Sequence, residues 1–225
     1  MVGARGEQVL SWGRCHRYDH IRLVPGSIEE AREAVRSSRP VLPFGLGRSY
    51  GDSCLNDNAT LIDTRRLDHF LRFDEHEGEL VCEAGVTLKS ILQLLSSRPR
   101  PDGGSWFLPV VPGTKFVTVG GAIANDVHGK NHEVQGTFGR HVEWLELARS
   151  DGELLRCSAE QNSELFRATI GGLGLTGLIT RAALGLLKIP SPMLDVEHIR
   201  LANLDDYFRV AQERRGDWTH HAAWV

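Results

Sequence analysis

A run of glycines and small residues at positions 109–132, PVVPGTKFVTVGGAIANDVHGKNH, limits this chain more than any other stretch. Valines and a phenylalanine alternate up to Val119, the pattern of a strand entering a turn. A Gly-Gly pair follows, then small or apolar residues, then a polar turn carrying Asn125, Asp126, His128, Lys130 and His132. Gly113, Gly120, Gly121 and Gly129 let backbone amides approach a ligand closely, or take up positive φ, because no Cβ intervenes. Consecutive free N–H groups form a concavity suited to an anion, and a short helix starting near Gly121 would add its positive end. The stretch reads as a phosphate cradle leading into polar side chains. An ordinary glycine-rich loop between strand and helix fits the same letters.

The residues before it form a β-α-β-loop-β unit. Ile21–Val24 is a strand candidate stopped by Pro25, and Ser27 with Glu30 makes a capping box for a helix ending near Ser37. Val41–Phe44 is the second strand and Leu61–Asp63 the third, with GLGRSYGDS between them. Phe70–Phe73 and Glu79–Glu83 read as strands joined by an acidic turn, and Thr87 caps an amphipathic helix ending before a Pro/Gly cluster at 99–104. Residues 1–20 show no periodicity.

Beyond the central stretch, Val142–Arg149 and Glu153–Cys157 alternate around Ser-Asp-Gly, a hairpin signal. A helix is expected over 159–169, then a glycine turn, GGLGLTG, and an apolar strand over 178–189. Pro190 and Pro192 mark a boundary. After it the pattern predicts a strand over 194–201, an Asn203-capped helix and a final strand, WTHHAAWV, together resembling the opening of a second domain. Hairpins mixed with β-α-β units make the expected class α+β.

At 225 residues the chain can bury a core as one or two domains. A net charge of −3 gives no electrostatic argument for nucleic acid. No apolar run approaches the ~18–20 residues that cross a bilayer, and no secretory leader is read at the amino terminus. Cys15, Cys54, Cys82 and Cys157 are widely spaced without a CxxC pair, which fits reduced thiols and a cytoplasmic location.

Three motifs remain. GLGLTG at 172–177 matches G-x-G-x-x-G by letter, but a helix precedes it and a β-rich run follows, the reverse of a dinucleotide fingerprint. That order argues against a nicotinamide enzyme, although a tight glycine turn against another ligand is compatible with it. The loop Gly45-Leu-Gly-Arg-Ser-Tyr-Gly51 is not a Walker loop, yet it supplies amides, an Arg and two hydroxyls suited to a pyrophosphate; a polar β-turn loop is the plain alternative. His128 and His132 have H-x-x-x-H spacing, but Gly129 argues against a helix between them and no third ligand follows, so no metal is expected.

Taken together, PFGLGRSYGDS, VPGTKFVTVGGAIANDVHGKNH and GGLGLTGLIT resemble the FAD-binding domain (PCMH type) of the vanillyl-alcohol-oxidase family. The resemblance covers residues 12–190, and AIANDVHGKNHEVQGTFGRHV is its most specific part. It implies two α/β subdomains, about 12–65 and 66–190, with FAD between them, and residues 191–225 as the start of a C-terminal cap domain that would hold substrate. It implies that Gly45, Leu46, Gly47, Arg48, Ser49, Tyr50, Gly51 and Ser53 clasp the FAD pyrophosphate and ribitol. Gly113, Thr114, Gly120, Gly121 and Ala122 would form the second phosphate wall. Asn125, Val127, His128 and Gly129 would run along the flavin, and Ile179 would meet the adenine-side half. Tyr50, His128 and Lys130 fall where the family presents side chains to the reacting face.

Two departures bear on chemistry. Many family members attach flavin to a histidine in the first loop; Arg48 stands there, so dissociable FAD is expected. Close relatives can carry Cys where this chain has Asn125. The family's cap lysine and tyrosine lie beyond residue 225, and Trp224 is the one candidate for a first cap contact. The implied reaction is oxidation of a sugar hydroxyl to a ketone, on a polyprenyl-phosphate sugar or, alternatively, an aldonolactone or alditol, with a partner reductase or epimerase and peripheral membrane association. A flavin-binding part that needs a separate cap for catalysis is the competing reading.

Overall fold

The computed structural model describes residues 4–38 and 40–224, with side chains from residue 8 onward. The first sheet has four strands: β1 (Ala4–Val9), β2 (Tyr18–Leu23), β3 (Val41–Phe44) and β4 (Thr60–Asp63), in the order β1-β2-β4-β3. β2 and β3 run parallel to β4, and β1 is antiparallel to β2. All four residues of β4 are buried, as expected of a central parallel strand covered on both faces. β1 lies in the segment whose sequence shows no periodicity, ahead of the boundary expected at residue 12.

Helix α1 (Ile28–Ser37) joins β2 to β3. The Ser27 hydroxyl accepts from the Glu30 amide at 3.2 Å, and the Glu30 carboxylate reaches back to the Gly26 amide at 2.9 Å. The back-bond therefore lands one residue before the cap. The buried face of α1 carries Ala31, Ala34 and Val35, packed with Ile62, Leu67, Ala148 and Leu178. Its small residues let α1 lie against both the first sheet and strands 142–148 and 178–185 of the second.

That second sheet has the order β5-β6-β10-β8-β9 and is antiparallel throughout. Its strands are β5 (Phe70–Asp74), β6 (Glu79–Glu83), β8 (Val142–Ala148), β9 (Leu154–Ser158) and β10 (Leu178–Gly185). Helix α2 (Leu88–Ser96), capped by Thr87, buries Leu88, Ile91 and Leu95 in the largest core. Each such side chain contributes roughly 2 kcal/mol by leaving water. Helices α3 (Val119–Ala124), α4 (His132–Gln135) and α5 (Ser163–Thr169) complete this half.

Several elements differ from the sequence expectation. Residues 109–117 form no strand; their carbonyls cap α2 instead, with the Leu88 amide on Val117 O at 3.0 Å and the Lys89 amide on Lys115 O at 2.9 Å. α3 starts at Val119, because the Thr118 hydroxyl accepts from the Gly121 amide at 3.2 Å. α5 starts later than residue 159, because the Ser158 hydroxyl captures the amides of Glu160 and Gln161, each at 3.1 Å, and holds a turn there.

The expected strand over 178–189 is two strands. After Gly185 the chain leaves β6, the Leu186 amide bonds Gly78 O at 2.8 Å, and β11 (Leu187–Ile189) pairs with β7 (Ser105–Phe107). Residues 194–201 and 218–224 are not strands either. Among the described residues no strand edge pairs with either segment, and His221 N bonds Lys130 O at 3.0 Å in the final one. Helix α6 (Leu204–Glu213) does form, with Asn203 as its cap, and buries none of its residues. Val225 lies outside the described residues.

Candidate functional site

At the carboxyl end of β3, where the first sheet meets the second, three loops enclose a cavity of ≈ 530 Å³. They are the segments 45–54, 112–127 and 173–179, far apart in sequence and brought to one place. Parallel strands offer ligands their carboxyl ends, and β3 delivers the first loop from that end.

Backbone contacts lock the loops together. The third loop is stapled to the end of α3: the Gly171 amide bonds Ile123 O at 3.0 Å and the Leu173 amide bonds Ala124 O at 2.8 Å. Gly174, at φ +79°, lies against the ring of Pro43 at the root of the first loop. Arg48 ties the first loop to the second by donating its Nε to Phe116 O at 3.2 Å.

The glycines act as spacers. A Cβ on Gly47, which has φ +62°, would stand 2.8 Å from Leu10 O, and one on Gly120 would stand 3.0 Å from the Ala84 Cβ. Side chains there would push the loops apart and narrow the cavity. This bare backbone suits a flat, phosphate-bearing cofactor that must approach main-chain amides.

Fourteen of the expected cofactor residues line the cavity: Gly45, Leu46, Gly47, Arg48, Ser49, Tyr50, Ser53, Gly113, Thr114, Gly120, Gly121, Asn125, Val127 and Ile179. Gly51 and Gly129 are not on the lining, and Ala122 is fully buried in the core beneath α3. His128 and Lys130 also lie outside the lining, with exposed side chains. The His128 ring meets His132 edge-on at 5.6 Å. Tyr50 is on the lining and 80% exposed, at the mouth rather than inside. Among the described residues no three His, Cys, Asp or Glu side chains are grouped to hold a metal ion.

Other lining residues were not singled out from sequence. Thr118 was legible as a Thr before Gly-Gly at a helix start. Cys54 follows Ser53 at the end of the first loop, whereas Trp12, Thr64 and Ala84 are brought to the loops only by the fold. Burial pushes the Cys54 thiol up, against a lowering hydrogen bond from Ser49. Among the described residues, Arg48 is the only formally charged side chain on the lining, and no carboxylate or histidine lines the cavity.

The FAD binding domain family profile matches residues 20–158, more than half of the chain. The chain belongs to the PCMH-type FAD-binding domain family. FAD is its cofactor, and the glycine-spaced, amide-rich cavity fits that nucleotide. The chain is 36% identical over 86% of its length to the decaprenylphosphoryl-beta-D-ribose oxidase of Mycolicibacterium smegmatis, and it covers 41% of that protein. It is 25% identical over 98% of its length to the L-gulonolactone oxidase of Mus musculus, covering 50% of it. The chain thus spans half or less of the curated relatives it matches here. Among the described residues no helix is long and apolar enough to cross a membrane.

Proposed function

We propose that this chain is the cofactor-holding part of an FAD-dependent oxidoreductase that oxidises a sugar hydroxyl to a ketone, on a polyprenyl-phosphate sugar. The observation that carries the reading is the convergence of three glycine-spaced loops on one cavity, joined to the likeness to a decaprenylphosphoryl-ribose oxidase. The FAD unit occupies residues 12–190, in subdomains of 12–65 and 66–190, with β1 adding an edge strand ahead of it, and residues 191–225 lead into a substrate-holding cap.

Bound FAD supplies the hydride acceptor for alcohol oxidation. The chain's own residues bind, orient and exclude water. Amides of the first loop and of Gly113 and Thr114 would face the diphosphate, while Gly120 and Gly121, whose own amides are taken by Ala84 O and the Thr118 hydroxyl, would let the backbone wall come close to it. Asn125 and Val127 would run along the flavin, Ile179 would meet the adenine-side half, and Arg48 would offer a cation to phosphate oxygens. Tyr50 stands at the mouth, where substrate arrives. His128 and Lys130 sit at the end of the second loop, outside the lining, as proton-handling and substrate-fixing groups. With Arg48 at the attachment position and no histidine on the lining, the cofactor is dissociable. Acid precipitation releases all flavin into the supernatant under this reading, and flavin retained in the pellet contradicts it.

The lining has no carboxylate or histidine to accept a proton, which favours a second reading in which the chain holds flavin and a separate cap completes the catalyst. The match to L-gulonolactone oxidase over nearly the whole chain keeps an aldonolactone in view as substrate. Anaerobic mixing of the FAD-loaded chain with a polyprenyl-phosphate pentose, an aldonolactone or an alditol separates these. Bleaching by the lipid-linked sugar supports the main reading and bleaching by the lactone the alternative. Bound flavin that none of them bleaches supports the cap-requiring form. The ketone formed would pass to a partner reductase, and the lipid-linked substrate implies peripheral contact with a membrane.

A further inference from the structure

Arg48 is held on two sides. Its Nε donates to Phe116 O at 3.2 Å, and its guanidinium carbon stands 5.4 Å from the centroid of the Trp12 ring. Trp12 is itself fixed to the first loop, its amide bonding Ser49 O at 2.9 Å. Three pieces of chain therefore meet at one guanidinium: the segment before β2, the loop after β3 and the loop before α3. Both Trp12 and Arg48 line the cavity, and no carboxylate pairs with Arg48 among the described residues. Trp12 lies outside the region matched by the family profile, and the residue is 57% exposed.

An arginine in such a setting is poised rather than spent. With Nε occupied, its two terminal nitrogens still carry four N–H groups in the planar fork that suits phosphate oxygens. A flexible exposed arginine must lose side-chain freedom when it binds; one stacked on an indole and anchored at Nε has already lost much of it. Trp12 belongs to none of the core clusters of the described residues, and the side-chain contact it makes is with the cation it covers.

We propose that Trp12 is a positioning residue that aims Arg48 at the diphosphate of a flavin dinucleotide, so that the pair forms a non-covalent latch on the cofactor. The inference rests on the reading that this cavity holds FAD, and it assigns a task to a residue outside the three glycine loops. Trp12 acts only through Arg48.

The test is fluorescence titration of the apo form of the whole chain with FAD and with riboflavin, which lacks the diphosphate. Arg48→Ala is expected to weaken FAD by about 10- to 100-fold, the range of a charge-assisted hydrogen-bond pair, and riboflavin hardly at all. Trp12→Ala should weaken FAD about two- to fivefold, as an exposed cation–π contact would, and Trp12→Phe should recover most of that loss. The double variant should bind FAD no more weakly than Arg48→Ala alone. The salt dependence of FAD binding should flatten in both Arg48→Ala and the double variant. Arg156→Ala, which removes another arginine lying over a tryptophan (Trp144, 4.1 Å) away from the cavity lining, serves as control and should leave FAD affinity unchanged.

Additive losses in the double variant would overturn the latch, as would equal weakening of FAD and riboflavin, or wild-type FAD affinity in Trp12→Ala. Failure of the wild-type chain to bind FAD at all would instead remove the reading beneath it.

Discussion

Gly45 and Thr118 touch across the cavity wall: a Cβ built on Gly45 would stand 2.5 Å from the Thr118 hydroxyl oxygen. The same hydroxyl caps α3 by accepting from the Gly121 amide, so one atom closes the helix and sets how near the first loop may come. Gly45→Ala must displace either the loop or the cap. Overpacking of this kind costs about 1–3 kcal/mol, and the variant should bind FAD about 10- to 100-fold more weakly while keeping its far-UV spectrum. Thr118→Ala removes the cap without the clash. It should lower stability by about 1 kcal/mol, or about 2–4 °C in Tm, and Thr118→Ser should restore it.

Asp63 is fully buried at the end of β4, with Arg22 at 2.6 Å and Arg65 at 2.5 Å. Burial alone would push its carboxyl up, but hydrogen bonds from the side chain and backbone of Arg65 and from Arg22 outweigh it and hold the group below the ordinary carboxylate range. A lowered folded-state value means a stabilising contribution that is present above about pH 4 and lost as pH falls through the lowered value. Asp63→Asn should therefore cost about 1–3 kcal/mol at neutral pH, less than a fully enclosed pair because both arginines keep some contact with water. The difference from wild type should shrink on acidification, as read by urea unfolding at several pH values.

His69 behaves in the opposite sense. Its Nδ1 lies 2.8 Å from the Glu83 carboxylate, and that hydrogen bond raises the imidazole above its usual value. The contribution to stability is full below the unfolded-state value near pH 6.5 and is lost as pH rises through the higher folded value. Proton NMR should place the His69 midpoint above that of an unperturbed histidine, and Glu83→Gln should bring it back down.

The four thiols should separate by reactivity. Cys15 is exposed, whereas Cys82 is buried with its thiol pushed up to about 12, and burial also raises Cys157. Iodoacetamide followed by mass spectrometry should modify Cys15 first and Cys54 more slowly. Bound FAD should slow Cys54 further, because that residue lines the cavity. Cys82 and Cys157 should react only after denaturation.

Much of this architecture is legible in the letters because local rules coincide with tertiary ones. Ser27, Thr87 and Asn203 each cap the helix their sequence announces, and the Ser-Asp-Gly turn joins β8 to β9 as its pattern demands. Two anion-ready loops are visible as glycine spacing, but that the third glycine turn converges with them is implied only by the family resemblance, since no local rule brings residues 45, 113 and 179 together. The failures share a cause. The alternation before Val119 and after Pro192 satisfies a strand's side-chain period, but a strand also needs a backbone partner, and whether one arrives is decided elsewhere in the chain. Trp12 reads in the sequence only as a residue able to pack on something, because the arginine it meets stands thirty-six positions away.

The middle place in the second sheet belongs to β10, the strand synthesised after its four companions. Until residues 178–185 leave the ribosome, the β5–β6 and β8–β9 hairpins wait with their inner edges bare, and Ile179 is missing from the cavity wall. Unpaired edges of this kind invite chaperones and aggregation during translation. A nascent chain stalled before β10 lacks this part of the cavity wall and should therefore retain far less FAD than the released chain.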